Sequence, residues 1–209
     1  MLLNLPVLQL LNPPAAFQTE DFDETFKPAI TYSQGLVIDP QRGPAITHQY
    51  ESMASQKSIA ASVYRVEVHD RSGKEDINEA NLPALLLQVA ATLNIDAILA
   101  VGVNYEVQFR VEGAAAAAIA SRALTDISAL VPRGSTVRGG TARFYFGGED
   151  TELYTLGIEP RLQDLTTNIV WMTCNYNTNR AALPTADEFM AIQNRSYTVI
   201  KQLGERLFS

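Results

Sequence analysis

The stretch that most constrains the fold is residues 101–111, which read VGVNYEVQFRV. The odd-numbered positions are all apolar or aromatic, and the even-numbered positions are glycine or polar. An alternation with a period of two over this length predicts a β-strand with one buried and one solvated face. Each side chain on the buried face contributes about 1.5–3 kcal/mol when it leaves water. We therefore expect this strand to be the centre of an antiparallel sheet that is covered on one side.

Other segments show the same alternation and predict further strands. They are residues 59–69, 136–147, 152–159 and 167–178. In the first of these, Tyr64, Val66 and Val68 are expected to face the core. Between residues 29 and 57, the short apolar runs 36–38 and 45–47 predict either brief strands or an ordered loop.

Three segments have the three- and four-residue apolar spacing of helices. The first, residues 78–93, begins at Asp76 or Asn78, or alternatively near Asn81 with Pro83 in its first turn. The second is residues 114–131. The third follows a Thr185–Glu188 capping box and runs for about 22 residues. The expected fold is α+β, with about five antiparallel strands packed against two or three helices and a long C-terminal helix.

The N-terminal residues 1–28 are expected to be an extended arm, and residues 29–209 a single domain. Residues 1–11 could add a short strand at a sheet edge. Beyond them, three phenylalanines are interleaved with acidic residues; the candidate partner-binding residues are Phe17, Phe22, Phe26, Asp21, Asp23 and Glu24. This segment predicts either docking on a basic, apolar groove of a partner or packing of the phenylalanines on the chain's own domain.

The net charge of -7 and the absence of a basic run argue against nucleic acid as a partner. Residues 1–11 are apolar but lack a basic segment and a cleavage site, and they are too short to span a bilayer. We therefore expect a cytoplasmic protein that binds neither nucleic acid nor membrane.

The chain has one cysteine, Cys174, and two histidines, His48 and His69. An intramolecular disulfide and a cysteine-based zinc site are thus excluded, and few ligands remain for any other metal. We expect no metal and no cofactor, and we interpret Cys174 as a buried structural thiol.

Two groups of residues are candidate sites for chemistry. His69 and Asp70 are adjacent on a predicted strand and should point to opposite faces, so a catalytic pair would need Ser72 or Cys174 nearby. His69 is otherwise expected to be exposed. On the polar face of the central strand, Asn104, Glu106 and Arg110 lie in a row that either binds a ligand or is simply solvated.

Two functions from different classes follow. The first is a non-enzymatic protein-binding or assembly subunit, an adaptor or chaperone-like protein whose partner is another protein or a copy of itself. The alternative is a small hydrolase or transferase with its site on the polar sheet face, using His69, Asp70, Glu106 and Arg110. An antiparallel sheet under a long helix resembles the pattern of SecB-like chaperones, but the two helices predicted between the strands do not fit the order of elements in that family, so the resemblance implies no function for this chain.

Overall fold

The computed structural model of the chain describes residues 2–10, 30–39, 43–74, 76–122, 140–147, 151–160 and 166–208. Within these residues there are nine strands and three helices. The strands are β1 (Leu2–Leu10), β2 (Ile30–Asp39), β3 (Gly43–Ser52), β4 (Lys57–Ser62), β5 (Arg65–Asp70), β6 (Ile98–Arg110), β7 (Ala142–Gly147), β8 (Glu152–Pro160) and β9 (Ile169–Asn179). The helices are α1 (Leu82–Thr92), α2 (Ala115–Arg122) and α3 (Ala186–Phe208).

The strands pair in the order β2-β3-β4-β5-β1-β6-β9-β8-β7, and every neighbouring pair is antiparallel. Two four-stranded antiparallel units, β2 to β5 and β6 to β7, are thus joined through β1. The predicted α+β class, the antiparallel pairing and the long C-terminal helix are confirmed. The predicted number of about five strands is wrong.

One reason for the miscount is that residues 59–69 form a hairpin and not one strand. The chain turns between β4 and β5, where the Ser62 hydroxyl accepts hydrogen bonds from the backbone N–H groups of Tyr64 and Arg65, both at 3.2 Å. Val66 and Val68 face the core as predicted and are fully buried, whereas Tyr64 lies half-buried in the turn. Both strands of the hairpin alternate with a period of two, and the turn between them is only two residues long. The alternation therefore continues through the turn, and the sequence pattern does not show where one strand ends and the next begins.

The other reason lies in the first half of the chain. β1 pairs with both β5 and β6, so it lies inside the sheet and not at an edge. Its pairing with β5 skips Leu5 and Pro6, which accommodates a proline that has no N–H to donate. The two short runs expected between residues 29 and 57 are ten-residue strands, β2 and β3, which pair along their whole length.

The strand expected to be central, β6, pairs with β1 and β9 near the middle of the sheet. Val101, Val103 and Tyr105 are almost completely buried on one face, as predicted. The Tyr105 hydroxyl donates to the carbonyl of Gln193 on α3 at 2.7 Å, which places this helix over the same face. Burial in this contact raises the pKa of Tyr105.

Helix α3 approaches β6 closely at a glycine. A Cβ built on Gly204 would lie 2.0 Å from Cζ of Phe109, so the ring occupies the space that any side chain at this position would need. Phe109 also packs against Phe208, with ring centroids 6.4 Å apart. Helix α3 begins with the predicted capping box: Glu188 N–H donates to Thr185 Oγ1 at 3.3 Å, and Thr185 N–H donates to Glu188 Oε2 at 2.8 Å.

The start of α1 agrees with the second of the two predictions made for it. The helix begins at Leu82, immediately after Asn81, and Pro83 lies in its first turn. Asp76 and Asn78, the other predicted starts, precede it in a turn in which Asn78 N–H donates to Asp76 Oδ1 at 2.9 Å. Helix α2 is described as far as Arg122, so its predicted extension to residue 131 lies outside the described residues.

Candidate functional site

The apolar face of the sheet continues beyond the part that the helices cover. Strand register places Val68, Ile59, Tyr50 and Tyr32 side by side across β5, β4, β3 and β2. Val68 and Ile59 are fully buried in the core with α1, and Tyr50 is 4% exposed. The Tyr32 ring packs against that of Tyr50 in a tilted arrangement, with ring centroids 5.0 Å apart, and Tyr32 is already 47% exposed. Burial of this face therefore ends near the boundary between β3 and β2.

Farther along the same face, the side chains are large, apolar and exposed. Leu36 and Ile46 lie opposite each other in the β2–β3 register and are 69% and 56% exposed. Ile38 is two residues beyond Leu36, on the same face, and is 71% exposed. Single exposed apolar residues are common, but three neighbouring ones are typical of an interaction site. In the register, the Gln34–His48 pair lies between them and the Tyr32–Tyr50 pair.

These residues lie at the end of the β2–β3 hairpin, beyond the part of β3 that pairs with β4. Strand β4 pairs with β3 from Thr47 to Ser52, so among the described strands residues 43–46 of β3 pair with β2 alone. We call residues 36–39 and 43–46 the hairpin tip. A two-stranded ribbon is marginally stable in water by itself. A ribbon that also exposes its apolar face gains stability when a further layer packs against it.

Strand β2 is also the last strand of the sheet among the described residues. Its residues 30–38 contain no charge and no proline, and its register with β3 has no bulge. Edge strands usually carry such features because they prevent pairing with another chain. The strand at the opposite end, β7, is only six residues long and carries an exposed arginine, Arg143. The two ends of the sheet therefore differ in their capacity to accept a further strand.

The predicted ligand-binding residues lie on the opposite, polar face. Asn104 and Glu106 are half-buried and Arg110 is exposed, as the alternation of β6 requires. Cross-strand neighbours on β9 add Asn175, whose amide donates to Asn104 Oδ1, and Thr173, which lies opposite Glu106. This face can offer hydrogen bonds. Among these described residues, however, the polar side chains form a row along the strands and do not converge on a common point where a ligand would bind.

His69 and Asp70 are not brought together. Asp70 accepts a hydrogen bond from the Ser72 N–H at 2.9 Å, in a turn. The His69 side chain is 18% exposed, so the expectation of an exposed histidine is wrong; its Nε2 lies 3.1 Å from Glu67 Oε2. Burial alone would raise the pKa of Glu67, but the hydrogen bond from His69 and the nearby charge of Arg65 outweigh it and lower that pKa.

A hydroxyl group does lie beside His69. Ser58 on β4 is its cross-strand neighbour. Its Oγ is fully buried and has no hydrogen-bond partner among the described residues. A buried Oγ cannot be reached by a substrate, so Ser58 and His69 do not form a nucleophile and base as they stand.

Two adjoining clefts flank the β3–β4 turn, with volumes of about 230 and 350 Å³. Their cations are already paired: Arg71 Nη1 lies 3.4 Å from a Glu51 oxygen, and Lys74 Nζ lies 2.8 Å from a Glu79 oxygen. Lys57 Nζ donates to the carbonyl of Ala80 at 2.6 Å. The clefts therefore offer paired charges to a ligand, in contrast to the exposed apolar surface of the hairpin tip.

Cys174 lies on β9 at the covered face and is 2% exposed. Burial raises the pKa of this thiol to about 12. The interpretation of Cys174 as a structural residue agrees with this placement, because a thiol is a poor nucleophile when its thiolate is so disfavoured.

The predicted partner-binding residues of the N-terminal segment lie outside the described residues. They are Phe17, Phe22, Phe26, Asp21, Asp23 and Glu24, and their assignment stays a prediction. Within the described parts of the chain, no group of three or more histidine, cysteine or carboxylate side chains is placed to hold a metal ion. In the same residues, no helix combines the length and the apolar character needed to cross a membrane.

Comparison with family models, curated proteins and solved structures finds no match to this chain. Function is therefore inferred from the geometry of the described residues alone.

Proposed function

We propose that this chain is a non-enzymatic protein-binding or assembly subunit that binds its partner through the hairpin tip. The observation that carries the proposal is the exposure of Leu36, Ile38 and Ile46 on a sheet face that is buried under helices elsewhere. A partner that packs on this face would extend the apolar core of the domain.

The free energy gained by covering the three apolar side chains can be compared with the cost of association. With more than half of each side chain exposed, covering the three residues contributes roughly 1–2 kcal/mol apiece. Association of two proteins costs about 4–15 kcal/mol in lost translational and rotational freedom. The three contacts together give about 3–6 kcal/mol, which matches only the lower end of that cost. Further contacts are therefore needed over most of the range, and the hydrogen-bonding edge of β2 is the adjacent group that can supply them.

The chemistry of the tip favours a protein partner with an uncharged, apolar surface. Residues 30–39 of β2 and 43–50 of β3 contain neither lysine nor arginine, and Asp39 is the one carboxylate among them; Arg42 lies between the two strands in the sequence. The chain as a whole has a net charge of -7. Attraction to anionic lipid requires basic residues, so a membrane surface is the less favoured occupant.

The proposal is tested by capturing partners with the full-length protein and with the variant Leu36→Ser/Ile46→Ser. Both side chains are exposed, so the variant should fold, and it should lose a partner that the unchanged chain retains. The captured protein must then bind saturably when purified, with an affinity reduced at least about tenfold by the double substitution, since 1.4 kcal/mol corresponds to a factor of ten.

A matched control is Leu99→Ser/Leu153→Ser, which removes two exposed leucines, 39% and 49% exposed, away from the tip. This control should bind as the unchanged chain does. Equal binding by the tip variant would refute the proposal. A partner lost instead by replacing Phe17, Phe22 and Phe26 with serine would move the binding surface to the N-terminal segment.

The alternative function, a small hydrolase or transferase on the polar face, remains an untested prediction. Its best geometry is the contact between Glu67 and His69. The buried Oγ of Ser58 and the separation of His69 from Asp70 on opposite faces do not support it.

A further inference from the structure

We infer that the partner of the hairpin is a second copy of this chain, joined by antiparallel pairing of β2 with β2 of the copy. The inference rests on the proposed function, because it names the partner for the same surface. It also goes further, since it fixes the symmetry and the strand register of the contact.

The first argument is that β2 can pair with itself. In an antiparallel pair related by a two-fold axis, a strand of uniform character meets an identical strand running the other way. Residues 30–38 carry no charge, so no like charges are brought opposite each other, although both chains are acidic overall. No proline or bulge interrupts the length available for pairing.

The second argument is the register. With Gln34 opposite Gln34 of the second copy, Tyr32 lies opposite Leu36 of the copy, and the reverse pair forms by symmetry. Aromatic and aliphatic side chains directly opposite each other are favourable cross-strand pairs. Tyr32 is held in place by its hydroxyl, which lies 2.8 Å from Nδ1 of His48, and by the packing of its ring against Tyr50. The apolar face of one hairpin thereby continues into that of the other.

The third argument is that such an assembly stops at two copies. A two-fold contact uses both β2 edges and leaves β7 at each end of the combined sheet. β7 is short and carries the exposed Arg143, which is a feature of edges that resist pairing. The result is a closed dimer and not a growing fibre.

The test is sedimentation velocity of the full chain at concentrations from about 1 to about 100 µM. The same measurement is made on variants that carry a charge at position 34, which faces itself across the two-fold axis in the proposed register. Gln34 is exposed, so Gln34→Lys and Gln34→Glu should each fold normally. Each should weaken self-association about fivefold, because like charges then lie directly opposite each other. An equimolar mixture of the two variants should restore the dimer, because lysine then faces glutamate.

The control is Tyr145→Lys on β7, at the other end of the sheet, where Tyr145 is 66% exposed. It should sediment as the unchanged chain does. A chain that stays monomeric at the highest concentration overturns the second-copy inference, and the capture experiment then decides the proposed function separately. If the Gln34→Lys variant dimerises as strongly as the unchanged chain, the β2 pairing or its register is wrong. The same conclusion follows if the equimolar mixture of the two variants dimerises no better than either variant alone.

Discussion

The contact between Gly204 and Phe109 gives a prediction in which two effects have opposite signs. Replacing a glycine inside a helix with alanine ordinarily stabilises a protein by about 1 kcal/mol, because glycine has the greater freedom to lose. At position 204 of α3, however, the added Cβ would lie 2.0 Å from Cζ and 2.5 and 2.6 Å from the two Cε atoms of Phe109. Carbon atoms pack at about 3.5–4.0 Å, so the ring must move by roughly 1.5 Å.

The magnitudes decide the sign. Forcing an extra methyl group into a packed contact costs about 1–3 kcal/mol. Subtracting the gain in helix propensity leaves a net destabilisation of about 1 kcal/mol for Gly204→Ala. In a Phe109→Leu background the obstructing ring atoms are gone, and the same change should stabilise by about 1 kcal/mol.

Urea unfolding followed by circular dichroism measures all four members of this double-mutant cycle. The expected coupling between positions 109 and 204 is about 2 kcal/mol. If Gly204→Ala raised the free energy of unfolding in the unchanged background, the packing of α3 on β6 described above would be refuted.

Three further predictions concern single groups. Thr185→Ala removes the side-chain half of the capping box and should lower the free energy of unfolding by about 1 kcal/mol, measured by urea unfolding. Because the pKa of Glu67 is lowered on folding from its ordinary value of 4.5, its contribution to stability is present above that pH and is lost as the pH falls through the folded pKa. Glu67→Gln should therefore flatten the stability–pH curve below pH 4.5, and an unchanged acid limb would contradict the pairing with His69. Burial raises the pKa of Cys174 to about 12, so at about pH 8 the thiol should resist thiol reagents in the folded chain and react once urea unfolds it. Rapid labelling of the folded chain would contradict its burial.

The elements predicted well are those that local sequence determines. The alternation of β6 predicts which side chains face the core, and Val101, Val103 and Tyr105 do so. The capping box at Thr185 predicts the start of α3 to the residue. Both signals arise from interactions within a few residues, so no tertiary information is needed to read them.

Elements that depend on long-range pairing were missed. The position of β1 between β5 and β6 is determined by partners about 60 to 100 residues away, and an internal proline argues against such a position in the sequence. β2 and β3 did carry a signal: Tyr32, Leu36 and Ile38 lie at even positions of β2, and Ile46 and Tyr50 at even positions of β3. Gln34, His48 and Ser52 are the polar residues at even positions of the two strands, and Pro44 is the one proline.

The candidate surface could not be read from the sequence for a different reason. Leu36 and Ile59 are both apolar residues on the same sheet face, yet one is 69% exposed and the other fully buried. What distinguishes them is the extent of the helical layer above the sheet, which no local pattern encodes. The polar row of Asn104, Glu106 and Arg110 was predicted correctly as a face, because the period of two is sufficient for that.

The measurement that tests the central claim most directly is amide hydrogen exchange on the full chain at low and high protein concentration. If β2 pairs with a second copy, exchange along β2 should slow as the concentration rises from about 1 to about 100 µM, while exchange along β7 should stay the same. Slowed exchange confined to β2 is the result that the proposed assembly predicts. Exchange along β2 that is equally fast at both concentrations, or slowing at β7 instead, would contradict it.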